Sequence, residues 1–376
     1  MKNLKKNIAI IGGGIVGSTT AYYLSKLDHK HEFNVIMYDD GKGQATKAAA
    51  GIISPWLSKR RNKKWYNLAR DGATLLSDIA KETNMSKDIY DQCGTIITRD
   101  DQDKLNDLYQ KALVRTKETK TIGNVYKLNA NEVKSKIPLL TKSLPGVLVT
   151  GGARIDGGRF AKHLKNIAQS NNLKIVNKKV AINDEGKIQL EQDSIEYDYI
   201  IIATGAWMKK TLSNLPLEVD VRAQKGQLIE LSTNSIHSNA NMPVLMPEGE
   251  RDFIPFSNGK LIVGATHEND KGFDLQPTSE VIDDLLASAN RLVDGLNQEN
   301  LVKIKVGTRA YTSDFAPFFG NIPQYENILV GGGLGSSGLT TGPLIGKLLA
   351  HSIVDKNNID LDQYRKPIEN YIKKNN

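Results

Sequence analysis

Apolar residues near the start of the chain alternate between short continuous runs and a longer helical pattern. Residues 8–11 form the first run, residues 12–17 are rich in glycine, a helix-forming stretch continues through Leu24, and residues 35–38 form the next run. Strands that are buried on both faces read as continuous apolar runs, and a helix between two of them makes a βαβ unit. The pattern predicts such a unit at this end of the chain.

The glycines of the unit follow the spacing G-x-G-x-x-G, and an acidic residue lies 22 positions after the last glycine. In a dinucleotide-binding turn, the first glycine allows a tight turn, the second admits the pyrophosphate and the third lets the helix pack on the strand. The helix N-terminus offers N–H groups to the phosphates, and the acid accepts hydrogen bonds from a ribose. The alternative is a glycine-rich turn without a ligand. The residues predicted to bind the dinucleotide here are Gly12, Gly14, Ile15, Val16, Gly17 and Asp39.

Three further segments narrow the choice of dinucleotide. Residues 43–53 include six glycines and alanines, so their backbone can lie close to a flat ring, although an alanine-rich helix start is the alternative. Residues 199–207 read as a buried strand that ends in a small-residue turn. Residues 328–343 read as a strand that enters a glycine-rich loop before a helix, which aims helix N–H groups at a polarised ring edge.

In this order the four segments resemble the D-amino-acid oxidase family of FAD enzymes, which includes glycine oxidase, sarcosine oxidase and D-amino-acid dehydrogenase. The resemblance extends from residue 8 to about residue 350. It implies an α/β fold with a Rossmann-type FAD-binding domain and a second, discontinuous domain built on an antiparallel sheet. Covalent attachment in the sarcosine oxidase branch needs a cysteine shortly before the last glycine-rich loop. Residues 303–334 contain none, so we expect non-covalent FAD.

The resemblance also assigns the remaining cofactor contacts. The segment after Asp39 would wrap the ribityl chain and the ring system, Val180 would pair with adenine, and the last loop would touch the pyrimidine side of the flavin. We interpret Ser336 and Ser337 as hydrogen-bond donors in that loop. The cofactor residues predicted on this basis are Thr46, Lys47, Ala48, Gly51, Ile52, Val180, Thr204, Gly205, Gly333, Gly335, Ser336, Ser337, Gly338 and Thr340.

Between these segments the pattern changes. Residues 60–145 read as helical and polar, and alternating strands at 226–231, 253–255 and 260–265 predict an antiparallel sheet. The chain returns to the nucleotide domain near residue 307. We therefore predict an FAD-binding domain from residues 1–75, 145–218 and 305–376, and a substrate domain from residues 76–144 and 219–304.

Members of the family oxidise an amino acid by hydride transfer from Cα to flavin N5, and the imine is then hydrolysed. By the resemblance, Arg309 in a Gly-x-Arg context would bind the substrate carboxylate, because its planar fork meets a carboxylate bidentately. Asp252 stands where glycine oxidase has an aromatic hydroxyl, and could pair with a substrate ammonium or face solvent. His267 could tune the flavin or take a proton, or could simply end a strand. These three are the predicted catalytic residues.

Composition restricts partners and location. The net charge is +8, and the densest basic cluster, residues 59–64, is either a solvated helix start or a means of attracting an anionic substrate. Nucleic acid is the less favoured partner. A single cysteine and the lack of an apolar run of about 18 residues predict a cytoplasmic protein without a transmembrane segment, with peripheral membrane association left open. The histidines show no metal-ligand spacing, and no metal is predicted.

The leading hypothesis is an FAD-dependent oxidase or dehydrogenase of a small carboxylate-bearing substrate, a D-amino acid or an N-substituted glycine. Oxygen or a quinone would reoxidise the flavin. A 2-hydroxy-acid oxidoreductase needs the same arginine, and a tRNA-modifying flavoprotein would use the basic charge for phosphates. A flavin-binding protein without catalysis is the alternative from a different class.

Overall fold

The computed structural model describes residues 5–233, 241–249, 251–355 and 360–375. The helices in these ranges are α1 Ile15–Leu27, α2 Ala45–Ala48, α3 Lys63–Glu82, α4 Gln102–Thr116, α5 Ala130–Lys136, α6 Gly157–Ser170, α7 Met208–Thr211, α8 Ser279–Asn290 and α9 Gly338–Val354. The strands are β1 Lys6–Ile11, β2 Phe33–Tyr38, β3 Ile52–Ile53, β4 Tyr90–Asp91, β5 Thr95–Thr98, β6 Val125–Leu128, β7 Gly146–Val149, β8 Ala153–Ile155, β9 Leu173–Val176, β10 Ala181–Ile182, β11 Ile188–Leu190, β12 Asp193–Ile195, β13 Tyr199–Ile202, β14 Leu217–Val219, β15 Arg222–Ser232, β16 Val244–Met246, β17 Asp252–Pro255, β18 Lys260–Gly264, β19 Leu301–Tyr311, β20 Phe318–Ile322, β21 Tyr325–Gly332 and β22 Ile372–Lys374.

The first sheet has six strands in the order β20-β21-β13-β1-β2-β9. All of its pairs are parallel except β20–β21, which forms an antiparallel edge. Its strands are almost entirely apolar and buried, and helices α1, α3, α6 and α9 share one core on one side of it. The small sheet β10-β11-β12 packs into the core on the other side. This is the doubly covered parallel sheet that the apolar runs predicted.

The second sheet has eight strands in the order β19-β15-β18-β17-β16-β5-β7-β6. The predicted antiparallel pairing holds for most of it, but β16 and β5 run parallel. Helices α5 and α8 cover one face, where Val133, Ile137 and Leu285 are buried. Strand β19 is the edge strand of this sheet. After it, the chain enters the first sheet at β20 and β21, so this segment connects the two sheets.

One expectation for local structure needs correction. The 60–145 region contains helices α3, α4 and α5, but strands β4, β5 and β6 also lie there, and two of them join the second sheet. Short buried runs such as β5, Thr95–Thr98, carry too few residues to be distinguished from helix by periodicity. Residues 178–180 form an irregular segment. The domain boundaries themselves stay a prediction.

Candidate active site

One cavity of about 1250 Å³ lies between the two sheets. It begins at the turn between β1 and α1, passes along α2 and the start of α9, and ends against β15, β17 and β19 of the second sheet. Small-molecule pockets commonly measure about 300–1,000 Å³, so this one has room for a dinucleotide together with a small substrate. The parallel sheet presents the carboxyl ends of β1, β2, β13 and β21 to it, which is where open α/β sheets bind ligands.

The β1–α1 turn has the geometry that its glycines predicted. Gly12 has φ +100°, and a Cβ there would lie 2.5 Å from the Ala203 carbonyl oxygen. A Cβ on Gly17 would lie 1.9 Å from the Gly12 oxygen, so only glycine lets α1 approach β1 this closely. No side chain caps α1 at Gly14; the Ile15 amide donates to Thr46 Oγ1 at 2.9 Å. Gly14, Ile15 and Val16 at this helix N-terminus line the cavity, and amides without an intrahelical partner at such an end suit a pyrophosphate.

Asp39 follows β2 directly, and its carboxylate lies on the cavity wall. It accepts a hydrogen bond from Gln44 Nε2 at 2.7 Å, and Lys165 Nζ lies 3.6 Å away. A carboxylate acceptor at this point suits a ribose hydroxyl. Val180 and its neighbours Lys178 and Lys179 line the same end of the cavity. The structure therefore brings the predicted ribose and adenine contacts together.

The middle of the cavity is walled by the small residues of the α2 segment and by β19. Ala48, Gly51 and Ile52 are among the lining residues, as predicted. Beside them on β19, the Thr308 hydroxyl is buried and has no hydrogen-bond partner among the described residues. A buried hydroxyl without a partner is costly unless a ligand satisfies it. The small-residue wall and this hydroxyl fit a flat, polar-edged ring such as the flavin.

The loop from Leu334 to Thr340 closes the cavity at the start of α9. Gly335, Ser336, Gly338 and Thr340 line it, and so do Thr204 and Gly205 of the preceding turn. Ser337 does not: its hydroxyl donates to the Leu334 oxygen at 3.0 Å and accepts from Trp65 Nε1 at 3.0 Å.

Three further predicted cofactor residues also lie outside the cavity lining. Lys47 donates to the Gly41 oxygen at 2.9 Å. Gly17 and Gly333 act on the backbone, since a Cβ on Gly333 would lie 2.6 Å from Thr312 Cγ2. Spacing along the chain located the segment but could not tell which alternate side chains face the ligand.

Arg309 projects from β19 into the far end of the cavity. Its guanidinium lies against Gly226, where a Cβ would come within 2.6 Å of Nη1. Nη1 donates to the Thr266 oxygen at 2.7 Å and to Gln224 Oε1 at 3.2 Å. Within the described residues Nε and Nη2 have no acceptor, so this edge of the fork remains for a ligand. Burial lowers the pKa of Arg309 to about 10, an effect that the charge of Glu268 partly offsets.

Asp252 begins β17 and lies on the same cavity wall. No hydrogen bond or ion pair joins its carboxyl to another described side chain, and burial alone raises the pKa of Asp252 to about 7. His267 follows β18 and also lines the cavity, but its side chain is largely exposed. The three predicted catalytic residues are therefore brought together from three strands.

Apart from His267, sequence reasoning missed the loop of residues 265–278, which borders the cavity through Ala265 and Phe273 as well. Its Phe273 packs on Trp207 with ring centroids 5.2 Å apart, and both rings line the cavity. Lys225, fully buried beneath the loop, donates to Asp274 Oδ2 at 2.7 Å and to the Gln276 oxygen at 2.6 Å. A lysine inside the β15 strand pattern was the only sequence signal for this anchor.

Cys93 does not line the cavity, and burial raises the pKa of its thiol to about 11, which leaves it protonated and unreactive at neutral pH. Among the described residues no cluster of histidine, cysteine and carboxylate side chains could hold a metal ion. None of the described helices is long and apolar enough to cross a membrane.

A profile of the FAD dependent oxidoreductase family matches residues 7–352. The chain belongs to this family. It is 32% identical to the uncharacterized oxidoreductase YurR of Bacillus subtilis, over 96% of this chain and 98% of that protein. It is 23% identical to a glycine oxidase of Pseudomonas putida, over 90% of this chain and 92% of the relative.

Solved structures give the same assignment. The iminodiacetate oxidase of Chelativorans sp. BNC1 superimposes with a TM-score of 0.87 and 30% identity, covering 97% of this chain and 98% of that one. A glycine oxidase of Geobacillus kaustophilus shares the fold, with a TM-score of 0.80 at 22% identity and coverage of 96% and 98%. This member of the FAD-dependent oxidoreductase family is thus an enzyme that binds FAD without a covalent link, related to amino-acid oxidases.

Proposed function

We propose that this enzyme oxidises a small amino acid at its Cα–N bond, and that an N-substituted glycine is its preferred substrate. The observation that carries the proposal is the pair of opposite charges at the far end of the cavity, Arg309 and Asp252, which no described residue neutralises on its ligand side. A carboxylate and an amine in one small molecule match this pair. The 30% identity to an iminodiacetate oxidase favours a secondary amine within that class.

Arg309 and Asp252 would bind different groups of the substrate. Arg309 would hold the substrate carboxylate through Nε and Nη2, because Nη1 is already committed to Thr266 and Gln224. Asp252 would face the amine. The bound flavin supplies the hydride acceptor, and the protein supplies orientation and charge.

Oxidation of an amine requires its lone pair, so a bound ammonium group must first lose a proton. A carboxylate with a pKa of about 7 is a far better acceptor for that proton than an ordinary aspartate, whose pKa is near 4. Asp252 would therefore bind the ammonium when ionised and then take its proton. A 2-hydroxy acid would leave this carboxylate without a cationic partner, so we place it second.

The test is anaerobic reduction of the FAD-loaded protein, followed by loss of the flavin's visible absorption. The compounds are glycine, N-methylglycine, iminodiacetate, D-alanine, both isomers of proline, and lactate. Rapid bleaching by N-methylglycine or iminodiacetate, and slower bleaching by the D-amino acids, is expected. Bleaching by lactate alone would overturn the proposal, and dithionite reduction would show that the flavin is competent. Repeating the reaction with oxygen or a soluble quinone then identifies the electron acceptor.

A further inference from the structure

A second cavity, of about 560 Å³, lies beside the first and is strongly basic. We call it the basic cavity. The segment before α3 and the beginning of that helix line one side, and the end of α4 lines the other. Its cationic side chains, apart from Arg70, are Lys59, Arg60, Arg61, Lys63, Lys111 and Arg115. Arg70 also borders it, but its charge is paired with Asp71 at 2.6 Å. The predicted basic cluster therefore borders a cavity at the start of α3, and Lys59, Arg61 and Lys63 in it are exposed to solvent.

The charge of this cavity is not balanced by the protein. Glu118 is the one carboxylate among the described lining residues, and Arg115 occupies it with two hydrogen bonds of 2.8 and 2.6 Å. None of the remaining cations, Lys59, Arg60, Arg61, Lys63 and Lys111, forms an ion pair with a described carboxylate. Like charges held around one concave space repel each other, so the empty arrangement is unfavourable.

Two of these cations are held in place by neutral oxygens only. Lys111 Nζ donates to the Ser58 oxygen at 2.6 Å, and burial together with the charge of Arg115 lowers the pKa of Lys111. Arg60 is partly buried, lies over the Trp65 ring at 4.8 Å and donates to the Phe315 oxygen at 3.3 Å. A surface that merely needed solubility would leave such side chains in water.

The chemistry of the lining selects the ligand. Guanidinium forks match the oxygens of phosphate groups. The positive end of the 20-residue helix α3, where Asn62 Oδ1 caps the Trp65 amide at 3.1 Å, lies on the same wall. A ligand that neutralises five cations without acidic partners must carry several negative charges. A concave space of this volume holds more than one phosphate group, whereas a nucleic acid strand needs an extended track.

Arg60 connects the basic cavity to the loop that closes the flavin site. Arg60 Nη2 donates to Ser336 Oγ at 3.2 Å, and Ser336 lies in the wall of the large cavity, in the loop that begins α9. A ligand that attracts the Arg60 guanidinium would alter this contact. We propose that the basic cavity binds a small polyanion carrying two or more phosphate groups, and that its binding is sensed at the flavin through Arg60 and Ser336.

Calorimetric titration of the FAD-loaded protein with tripolyphosphate tests the site. FAD saturation keeps the probe out of the nucleotide end of the large cavity. Binding with one-to-one stoichiometry is expected, and the exposed double variant Arg61→Ala/Lys63→Ala should weaken it at least about tenfold. Lys134→Ala/Lys136→Ala, which removes two exposed lysines of α5 away from the cavity, should bind normally. Equal weakening in both variants, or no one-to-one isotherm, would overturn the proposal.

Further arms separate the sources of phosphate. A lipid headgroup would be identified if phosphatidylglycerol vesicles bind the wild type, free tripolyphosphate displaces them, and Arg61→Ala/Lys63→Ala does not bind the vesicles. Lack of vesicle binding, with tripolyphosphate still bound, would identify a soluble phosphate. An RNA oligonucleotide that binds more tightly than tripolyphosphate through the same residues would replace the small-ligand proposal with a nucleic-acid one.

The coupling has its own spectroscopic test. Tripolyphosphate should shift the visible absorption maxima of the bound flavin in the wild type. Arg60→Lys keeps a cation but loses the fork that reaches Ser336, so it should bind tripolyphosphate and show a smaller shift or none. One-to-one binding without any flavin shift in the wild type would refute the coupling. This readout needs no substrate, so its failure and that of the proposed amine oxidation can be told apart.

Discussion

At the scale of single residues, Arg309 is the side chain whose replacement should separate substrate binding from cofactor binding. Its guanidinium is fixed on one edge by Thr266 and Gln224 and open on the other. Truncating one partner of a desolvated charge pair costs about 2–5 kcal/mol. Arg309→Ala should therefore lower kcat/KM for the best amine by at least about 30-fold, while the flavin spectrum stays unchanged.

The matched control for this variant is Arg222→Ala, on the neighbouring strand β15. Arg222 lies over the Tyr311 ring at 5.0 Å but does not line the cavity. Steady-state kinetics on both variants, with the amine that bleaches the wild type fastest, gives the comparison. A similar loss in Arg222→Ala, or none in Arg309→Ala, would show that Arg309 does not bind the substrate carboxylate.

Asp252 should set the pH dependence of the reaction. Because its pKa is raised from 3.8 to about 7, the carboxyl is ionised, and able to pair with an ammonium group, only above that pH. We expect kcat/KM to rise with pH by up to tenfold per unit below about pH 7 and to level off above it. Asp252→Asn should be slower and should lose this step. The same step in the Asn variant would assign it to another group.

The same pKa shift of Asp252 should also make the free energy of unfolding depend on pH. The folded protein holds the Asp252 proton to a higher pH than the unfolded chain does, so more protons are bound in the folded state between about pH 4 and pH 7. The free energy of unfolding should therefore fall as the pH rises through this range. Asp252→Asn should remove that contribution to the decline, as denaturant unfolding at several pH values would show.

At the scale of elements, the side chains of three β15 residues fasten the 265–278 loop to that strand. One of them, Gln224, donates to Asn269 Oδ1 at 2.7 Å. Lys225 holds Asp274 and Gln276, and Gln227 bonds Glu268 and Thr278 at either end of the loop. The loop carries Phe273 against Trp207 at the cavity wall. Its position over the site thus depends on a few polar contacts rather than on a packed core.

Lys225→Met keeps the buried volume but removes the two hydrogen bonds. Hydrogen bonds to charged groups contribute about 1.5–3 kcal/mol each, so opening of the loop should become at least about tenfold more frequent. Amide hydrogen exchange of residues 269–278 should accelerate, with the rest of β15 unchanged. Lys271→Met, an exposed lysine of the same loop, is the control. Unchanged exchange in Lys225→Met would show that other contacts hold the loop.

The elements that the sequence predicts best are those that bury an entire apolar run. Strand β1, helix α1 and strand β13 follow from such runs and from the glycine spacing between them. Strand β16 could not be paired from the sequence. One of its two neighbours in the sheet is β5, some 150 residues earlier, and no periodicity in the sequence indicates a parallel pairing across that separation. In the last loop, the sequence does not distinguish the roles of Ser336 and Ser337. The hydrogen bond from Trp65 holds the Ser337 side chain away from the site.

At the scale of the whole molecule, the site is assembled from both sheets. The sequence therefore does not show which of its distant residues share the cavity. Gly12, Asp39 and Thr204 come from the first sheet, and Asp252 and Arg309 come from the second. The motifs identified the cofactor end because its residues are close together in the chain. The basic cavity joins two helices about 40 residues apart, α3 and α4, so the charge run alone revealed only one wall.

Because the large cavity separates the two sheets, the cofactor should contribute to the stability of the whole molecule. A ligand that binds only the folded state stabilises it by about 4 kcal/mol at a concentration 1,000 times its Kd. Removing FAD should lower the Tm, and adding FAD should restore it in a concentration-dependent way, while NAD should not. Differential scanning fluorimetry on the apoprotein checks this. If FAD left the Tm unchanged, it would not bind preferentially to the folded protein, and the buried Thr308 hydroxyl would need another partner.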